Sequence, residues 1–444
     1  MSKQGGDRRA VDLAARLPAS WRAGLDDPPA RPVRAVSADD LRACRPVYAV
    51  WEITLKCDLA CGHCGSRAGS ARKDELTTAE CVDVVKQLAA LGCREVTIIG
   101  GEAYLRSDWV DIIKAIKDHG MEPTMTTGGR NLTEERVTAA AKAGLQGVSV
   151  SVDGLEPTHD KIRGFHGSWR AAMNAVKNLK SAGITVGCNT QINALSWRQL
   201  PEILNNIIEA GATHWQTQLT VAMGNAVDHD EMLLQPYQLL ELYPLLAKIY
   251  LEGLDRGLLM VPGNNIGYFG PYEHLWRGGP DRTGHWIGCN AGQNTIGLEA
   301  DGTIKGCPSL PTKGYAGGNI RTRALEDIWV NAPELNFTRD RTVNDLYGRC
   351  ASCYYADVCR GGCSWTTTVL LGKPGNNPYC HHRALTLEKE GLRERVVKVK
   401  AAPGQPFDQG LFKIVEEAID APLPPEVPST LRPPRGRSLK LPVL

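Results

Sequence analysis

The stretch that decides the fold is Val47-Tyr-Ala-Val-Trp-Glu-Ile-Thr-Leu-Lys-Cys-Asp-Leu-Ala-Cys-Gly-His-Cys64, an apolar run followed at once by three cysteines. Cys57, Cys61 and Cys64 have a C-x3-C-x2-C spacing, and three thiolates in one short loop can hold three corners of a [4Fe–4S] cluster. The fourth iron is then free to bind and activate a cofactor. Zinc is the competing interpretation, but it usually takes four protein ligands from paired knuckles, and no fourth cysteine lies nearby.

The apolar run opens an alternation of strands and helices that continues to about Leu259. This alternation predicts βαβ units and a parallel sheet, and six repeats predict an α/β fold with a partial, TIM-like (β/α)6 barrel. Active sites of such barrels lie at the carboxyl ends of the strands, where the cysteine loop begins. The predicted strands are 47–55, 95–100, 122–127, 147–152, 185–192 and 213–219, and the predicted helices are 77–91, 108–119, 133–143, 168–182, 199–210 and 236–253.

The composition divides the chain into four parts. Residues 1–46 form an N-terminal extension with a short amphipathic helix over Val11–Leu25 as one interpretation, and residues 47–260 form the barrel. Residues 261–390 are rich in Gly, Asn, Pro and Cys and poor in apolar periodicity, so they need a source of stability other than an apolar core. Residues 391–444 are expected to hold a helix near 408–419 and a Pro-rich tail.

The length, composition and net charge of the chain argue against several classes of protein. The chain has 444 residues, 42% hydrophobic and 23% charged, with a net charge of +2, so no global field favours nucleic acid or a membrane. It has no long apolar segment and no apolar signal core after Met1, so a cytoplasmic location is expected. Fourteen cysteines indicate metal or redox use. Four match no ligand pattern and are expected to pack as small apolar groups: Cys44, Cys81, Cys93 and Cys188.

The second predicted strand ends in Gly100-Gly101-Glu102. Two glycines allow a ligand to approach the backbone closely, and the glutamate offers a carboxylate to a cationic amine. An ordinary turn with a solvated acid would show the same three residues. The motif gains meaning from its place on the strand beside the cysteine loop.

The cysteine triplet together with Gly-Gly-Glu resembles the radical S-adenosylmethionine (radical SAM) superfamily. The resemblance implies that the fourth iron chelates the methionine part of the cofactor, and that an electron cleaves the sulfonium to give a 5′-deoxyadenosyl radical. It also implies that Gly100, Gly101 and Glu102 contact the methionine amine, and that Ser151 and Arg163 face its carboxylate, since a guanidinium suits a carboxylate. A plain surface salt bridge is the other interpretation of Arg163.

Seven further cysteines resemble the SPASM extension of peptide- and protein-modifying radical SAM enzymes, which usually holds two auxiliary [4Fe–4S] clusters. The resemblance assigns Cys350, Cys353, Cys359 and Cys380 to one complete cluster. It assigns Cys289, Cys307 and Cys363 to three corners of the other, whose fourth ligand is a non-cysteine side chain, water or substrate. Paired zinc knuckles are the alternative, because Cys-x2-Cys pairs bind zinc well.

The resemblance therefore implies an oxidoreductase with three clusters and S-adenosylmethionine that modifies a residue of a ribosomal peptide or protein. Cross-linking, dehydrogenation, epimerisation and excision are the expected outcomes. It implies a reductant such as flavodoxin or ferredoxin, and either a separate leader-peptide-binding protein or recruitment by the barrel mouth. A small metabolite, such as a sugar alcohol or a tetrapyrrole, is the alternative substrate, and a zinc-stapled binding module is the non-enzymatic alternative. No catalytic acid or base is assigned.

Two other features have alternative interpretations. The segment Pro262–Tyr272 either lines the substrate channel or is an ordinary loop. Trp215, Gln216 and Gln218 alternate along the sixth strand, so some of them point into the barrel. The glutamines there either touch adenosine or substrate, or pack in the core.

Overall fold

The computed structural model describes residues 33–279 and 282–423. Its strands are β1 (Tyr48–Thr54), β2 (Glu95–Gly100), β3 (Glu122–Thr127), β4 (Gly147–Ser151), β5 (Thr185–Ile192), β6 (His214–Leu219), β7 (Leu259–Pro262), β8 (Gly278–Gly279), β9 (Arg282–Thr283), β10 (Thr295–Leu298), β11 (Thr303–Lys305), β12 (Ala316–Asn319), β13 (Leu392–Lys400) and β14 (Leu411–Ala418). Its helices are α1 (Ala38–Arg42), α2 (Thr78–Ala90), α3 (Trp109–Asp118), α4 (Glu134–Ala143), α5 (Glu156–Arg163), α6 (Ser168–Ser181), α7 (Leu200–Ala210), α8 (Asn225–Asp228), α9 (Leu239–Asp255), α10 (Glu273–Arg277), α11 (Leu325–Asn331), α12 (Ala356–Cys359), α13 (Ser364–Leu371) and α14 (His381–Lys389).

The main sheet confirms the α/β prediction of a partial barrel. Strands β1 to β7 lie side by side in chain order and pair in parallel, with helices between them. The six predicted repeats correspond to β1–β6, and β7 is a seventh strand that the alternation did not predict.

The cysteine-rich segment continues the same sheet. Strand β10 pairs in parallel with β1, from Tyr48 opposite Thr295 to Trp51 opposite Leu298. Strands β11 and β12 then extend the sheet in antiparallel fashion. The barrel and the cysteine-rich segment therefore share one sheet, and the loops that carry Cys289 and Cys307 start from the edge of the barrel.

Local signals set the ends of the barrel helices. Helix α2 begins at a capping box, in which Thr77 and Glu80 satisfy each other's backbone N–H groups. Helices α4 and α7 end on Gly144 and Gly211, whose φ angles of 99° and 104° lie in the left-handed region that glycine adopts at low cost. These stops return the chain to the sheet after each helix.

The two faces of the strands differ in character. On β1 the side chains of Ala49, Trp51 and Ile53 are fully buried in the hydrophobic core against the helices, while Glu52 and Thr54 alternate with them on the inner face. The unassigned cysteines Cys81, Cys93 and Cys188 lie in this same core, which confirms their structural role; Cys44 is partly exposed.

The predicted helix near 408–419 is wrong. Residues Leu411–Ala418 form β14, which pairs in antiparallel fashion with β13. Phe412 is buried on one face of the strand, with Leu411 and Lys413 exposed beside it, so pairing with the long strand β13 overrides the helix-like spacing of the segment. The expected helix over Val11–Leu25 and most of the Pro-rich tail lie outside the described residues. Among the described helices, none combines the length and the hydropathy needed to cross a bilayer.

Candidate functional site

The three-cysteine loop lies at the carboxyl end of β1, where the barrel predicts an active site. Backbone hydrogen bonds join the loop to the end of α5: Gly62 N–H donates to Ile162 at 2.8 Å, and Ala60 N–H to Arg163 at 3.2 Å. From the other side, Asn225 donates its backbone N–H to the Cys64 carbonyl and its side chain to the Cys61 carbonyl. The loop is therefore held between the strand, the helix α5 and the segment after β6.

Burial keeps the thiols of Cys57 and Cys61 protonated in the chain without metal. Burial raises the pKa of Cys61 to about 12, although the nearby guanidinium of Arg163 opposes the shift. Burial and the neighbouring Cys61 also raise the pKa of Cys57. Thiolates form here when a cation replaces the protons, which is the behaviour of a metal site.

The sulfur atoms of the cysteine loop are not gathered around the position of a single ion. Among the described residues, the one set of three ligand atoms that all lie within 4.8 Å of one another comes from Cys57, Asp58 and Glu102, and no trio of cysteines is that close. Four ligands around one zinc ion place their sulfurs about 3.8 Å apart, as the ~2.3 Å Zn–S bond requires. The described cysteines of this loop therefore do not form a preassembled three-sulfur zinc site.

Gly101 and Gly100 are required by the cysteine loop itself. A Cβ on Gly101 would lie 2.2 Å from the Lys56 carbonyl oxygen and 2.7 Å from Cys57 Cβ. A Cβ on Gly100 would lie 2.3 Å from the Thr54 carbonyl oxygen. The two glycines therefore let the end of β2 press against the backbone that presents Cys57, a role that the sequence did not indicate.

Glu102 is buried at the ends of β2 and β3. One carboxylate oxygen accepts a hydrogen bond from Thr127, and the other accepts one from the Gly128 N–H at 2.6 Å. Burial raises the pKa of Glu102 to about 7, and the hydrogen bond from Thr127 opposes the shift. Each oxygen keeps a further lone pair, so the carboxylate can still accept from a cationic amine.

Arg163 is not a surface residue. It ends α5, is buried, forms an ion pair with Asp153 at 2.5 Å and lies 3.7 Å from Cys61 Sγ. Burial disfavours the charged guanidinium, but Asp153 and Cys61 outweigh it and hold its pKa above the usual range. The interpretation as a plain surface salt bridge is therefore excluded.

Asp153 is a site residue that the sequence reasoning missed. Its carboxylate also lies 2.8 Å from His63 Nε2 and accepts the Gln191 N–H at 2.9 Å. Burial opposes its ionisation, but Arg163 and His63 hold its pKa far below the usual range. One buried carboxylate thus orients a residue of the cysteine loop and the arginine beside Cys61. The sequence signal for Asp153 is its place two residues after Ser151, at the carboxyl end of the same strand.

Ser151 lies at the end of β4 and donates a hydrogen bond to Asn189 on β5 at 3.2 Å. It stands on the inner face of the barrel with Asn189, its register partner. The structure therefore brings Ser151, Glu102, Arg163 and the three cysteines to one edge of the sheet. It also leaves unpartnered buried atoms there, Nδ1 of His63 and Nε of Arg163, which fit a polar cofactor.

The four cysteines assigned to a complete auxiliary cluster line one cavity. Cys350, Cys353, Cys359 and Cys380 surround it together with Tyr268 and Phe269. Burial raises the pKa of Cys359 to about 12, and the fields of Cys350 and Cys353 add to it. These four side chains therefore line one cavity, and ligation of a cluster by them stays a prediction.

The remaining three cysteines form a second set. Burial raises the pKa of Cys307 to about 12, with added contributions from Cys289 and Cys363. Cys363 caps α13, and burial raises its pKa to about 11 while backbone N–H groups at the start of that helix oppose the shift. Cys289, Cys307 and Cys363 are thus brought together, and ligation by them stays a prediction.

Tyr268 lies between these two sets. Its ring lines the cavity of the four cysteines, its hydroxyl accepts the Cys363 N–H at 3.2 Å, and Cys380 Sγ lies 3.6 Å from its carbonyl oxygen. Its φ of 77° is uncommon for a residue with a side chain. The sequence alone left two interpretations of the segment Pro262–Tyr272, a lining of the substrate channel or an ordinary loop. The contacts of Tyr268 show instead that the segment borders both cysteine sets.

The tip of the hairpin formed by β13 and β14 covers the loop after β6. Phe407 packs against Val221, Met223 and Val369, and its ring lies 4.0 Å from the Lys305 ammonium. Asp408 pairs at 2.8 Å with Arg67, three residues after Cys64. This hairpin tip, residues 401–410, therefore contributes to the wall beside the cysteine loop.

Comparisons with known proteins agree with this arrangement. The radical SAM superfamily matches residues 51–215, and an iron–sulfur cluster-binding domain, SPASM, matches residues 289–354. Fe-coproporphyrin III synthase of Methanosarcina barkeri is 27% identical over 79% of this chain and 90% of that protein. Mycofactocin maturase MftC of Mycolicibacterium smegmatis is 28% identical over 79% of this chain and 87% of that protein.

Among solved structures, SuiB of Streptococcus suis bound to S-adenosylmethionine superimposes with a TM-score of 0.58 and 19% identity, over 72% of this chain and 73% of that one. A likeness at this identity shows the fold. From the two matching domains and the sites that they contain, the chain belongs to the radical SAM superfamily, carries a SPASM domain, and is an enzyme that uses S-adenosylmethionine and [4Fe–4S] clusters.

Proposed function

We propose that this enzyme cleaves S-adenosylmethionine at the Cys57–Cys61–Cys64 loop and oxidatively modifies a residue of a ribosomal peptide. When bound, the cluster and S-adenosylmethionine supply a 5′-deoxyadenosyl radical that removes a hydrogen atom from substrate. Among the relatives, MftC and SuiB support a peptide substrate, and one SuiB structure holds the precursor peptide SuiA.

The chain's own residues position the cofactor in this proposal. Glu102 accepts from the methionine amine, and Arg163 with Ser151 faces the methionine carboxylate. Asp153 holds Arg163 and His63 in place, and both are buried, so water is excluded where the cofactor would meet the loop. Preorganised groups of this kind cost little rearrangement when the cofactor binds.

The inner wall of the barrel is the observation that carries the peptide proposal. Register pairs Asn189 with Gln216 and Gln191 with Gln218 on β5 and β6. Trp215 and Leu219 are buried in the core, so the two glutamines of β6 face inward, where Gln216 is exposed and Gln218 is half-buried. Side-chain amides both donate and accept, so this wall suits the N–H and C=O groups of a peptide.

A tetrapyrrole is the second candidate, because an Fe-coproporphyrin III synthase is among the most similar relatives. A flat apolar macrocycle needs an apolar slot, as ligand pockets for such groups are lined mainly by hydrophobic and aromatic side chains. The amide-rich face of β5 and β6 lacks that character among its described inward residues.

The experiment compares the two substrates on one preparation. Anaerobically reconstituted enzyme, S-adenosylmethionine and a reductant are incubated with a short precursor peptide encoded beside the gene, or with iron coproporphyrin. We expect 5′-deoxyadenosine and a mass change in the peptide, with none in the porphyrin. A mass change confined to the porphyrin would overturn the peptide proposal and leave the radical chemistry intact.

Recruitment of the peptide and of a reductant is tested separately. We propose that flavodoxin or ferredoxin delivers the electron, and that a separate leader-binding protein or the barrel mouth captures the peptide. A pull-down with the precursor peptide, with and without neighbouring gene products, distinguishes the two routes. Absence of binding in both arms would argue for another substrate.

A further inference from the structure

Tyr268 contacts both auxiliary cysteine sets, through different atoms. Its hydroxyl accepts the N–H of Cys363, from the three-cysteine set, at 3.2 Å. Its carbonyl oxygen accepts the N–H of His382 at 3.2 Å and lies 3.6 Å from Sγ of Cys380, from the four-cysteine set. The side chain is fully buried, so solvent does not compete for these contacts. A movement of this one residue therefore reaches both sets.

The backbone of Tyr268 has an unusual conformation that its surroundings must maintain. Tyr268 and Phe269 have φ angles of 77° and 59°, and residues with side chains seldom adopt this region. Such conformations persist where neighbouring contacts fix them. The ring of Phe269 stacks on Tyr355, two residues after Cys353, with ring centroids 4.1 Å apart. The four-cysteine site therefore helps to hold the turn that presents Tyr268.

A buried glutamate fixes the same turn from the other side. Glu273 accepts the Tyr268 N–H at 2.8 Å and the Trp286 N–H at 3.0 Å. Its charge is paired with Arg277 at 3.0 Å. The Trp286 ring meets the Tyr268 ring edge to face, and its indole N–H donates to the Cys359 carbonyl at 3.2 Å. These contacts fix the ring of Tyr268, and with it the direction of its hydroxyl.

The hydroxyl of Tyr268 decides where the N–H of Cys363 points. It donates to the carbonyl oxygen of Asn264, which leaves a lone pair of the phenolic oxygen to accept from Cys363. Hydrogen bonds to the sulfurs of a cluster help to set its reduction potential. They raise the potential, because they stabilise the more negative, reduced state. An N–H that is engaged by Tyr268 does not make such a bond, and the partly negative phenolic oxygen also disfavours an added electron.

We propose that Tyr268 is a positioning residue that lowers the reduction potential of a cluster on the three-cysteine set, and that the four-cysteine site keeps it in place. The inference rests on the proposed ligation of clusters by both cysteine sets and adds a dependence of one site on the other. The aromatic contacts of the four-cysteine site thereby influence how readily the three-cysteine site accepts an electron.

Reduction potentials test this proposal without turnover. Full-length enzyme with about twelve irons per chain is titrated with a reductant at controlled potentials, and electron paramagnetic resonance follows each cluster. Cys363→Ala and Cys353→Ala identify the signals of the three-cysteine and four-cysteine sets, because each variant removes a ligand of one set. Wild-type enzyme with only about four irons would refute the ligation itself, which separates that failure from a failure of Tyr268.

Tyr268→Phe should raise the midpoint of the three-cysteine signal and leave that of the four-cysteine signal unchanged, because the ring and the carbonyl remain. We expect about tenfold more reduced cluster at a fixed potential, which equals a shift of about 59 mV for one electron. Tyr379→Phe is the matched control. Its buried hydroxyl also lies close in sequence to a cysteine, Cys380, but donates to the carbonyl of Leu234 at 2.7 Å, so both midpoints should stay.

A second variant tests the dependence between the sites. Tyr355→Leu removes the ring that stacks on Phe269, and it should raise the three-cysteine midpoint in the same direction. Tyr354→Leu, at the neighbouring side chain that is 90% exposed, should not. If Tyr268→Phe loses iron, Tyr355→Leu with full iron decides in its place. An unchanged three-cysteine midpoint in the variant that decides, or an equal shift in Tyr379→Phe, overturns the proposal and leaves the proposed radical chemistry intact.

Discussion

The carboxylate of Asp153 lies 2.5 Å from the guanidinium of Arg163, and both side chains are buried. The same carboxylate reaches His63 of the cysteine loop at 2.8 Å. Removing one member of a buried ion pair leaves an uncompensated charge, which typically costs about 3 to 5 kcal/mol. The ion pair therefore links stability of the site to placement of Arg163.

Asp153→Asn should weaken S-adenosylmethionine binding by about tenfold, because Arg163 loses the carboxylate that positions it. It should also lower the thermal midpoint by on the order of 5 °C, since a loss of a few kcal/mol in the free energy of unfolding lowers the midpoint of a domain by about that amount. Isothermal titration and thermal unfolding measure the two effects. The exposed pair of Lys114 and Asp118 supplies the control, because Asp118→Asn removes an i,i+4 surface contact of little energetic weight. An Asp153→Asn enzyme with wild-type affinity would show that Arg163 does not serve the cofactor.

Gly101→Ala should displace Cys57 and prevent assembly of the first cluster. The new methyl group would lie 2.2 Å from the Lys56 carbonyl oxygen, and backbone does not yield cheaply. Iron should fall from about twelve to about eight per chain, as one of three four-iron clusters is lost. Gly69→Ala is the matched control in the same loop, because a Cβ there meets nothing within 4 Å. Full iron in Gly101→Ala would contradict the contact.

Glu52 should make the stability of the chain depend on pH. Burial raises the pKa of Glu52 to about 7, although Arg72 opposes the shift. The folded chain then keeps a proton that the unfolded chain loses near its ordinary value of 4.5. Stability therefore falls as pH rises from about 4.5 to about 7, by about 3 kcal/mol for this group.

Glu52→Gln should make the thermal midpoint depend less on pH than in the wild type, between about pH 4.5 and about pH 7. Glu122→Gln, on β3, serves as the comparison for a carboxylate that is only half-buried. Identical slopes for Glu52→Gln and the wild type between pH 4.5 and 7 would refute the raised pKa.

Phe407→Ala should loosen the hairpin tip, residues 401–410. Phe407 is buried against Val221, Met223 and Val369, and truncating a buried phenylalanine commonly costs about 3 kcal/mol or more. Limited proteolysis should cut the tip faster in this variant, whereas Leu411→Ala, at a 37% exposed side chain, should behave like the wild type. Unchanged protection of Phe407→Ala would mean that Asp408 and Arg67 alone hold the tip.

The barrel was predictable from residues because each strand and helix has its own local signal. Strands β2, β3 and β5 match the predicted bounds, and Gly144 and Gly211 end helices as expected. The hairpin strand β14 was not predictable, because its identity depends on pairing with β13 rather than on its own spacing. Helix α5 was not predicted either. Its buried face carries polar residues such as Asp160 and Arg163, so the apolar periodicity that indicates a helix is weak there.

The candidate site was predictable where its residues lie close together in the sequence as well as in space. The cysteine triplet and the Cys350–Cys353 pair are local, so they could be found directly. Asp153 and Tyr268 could not, because each acts through contacts with residues far away in the chain, His63 and Cys363. The polar inner wall likewise needed the register between β5 and β6.

Electron paramagnetic resonance of the reduced enzyme, with and without S-adenosylmethionine, tests the central claim most directly. The wild type should show a cluster signal that changes when the cofactor is added, and it should release 5′-deoxyadenosine. Cys61→Ala should lose both while keeping the signals of the two auxiliary clusters. A Cys61→Ala enzyme that still responds to the cofactor, or a wild type that never does, would contradict the assignment of this loop.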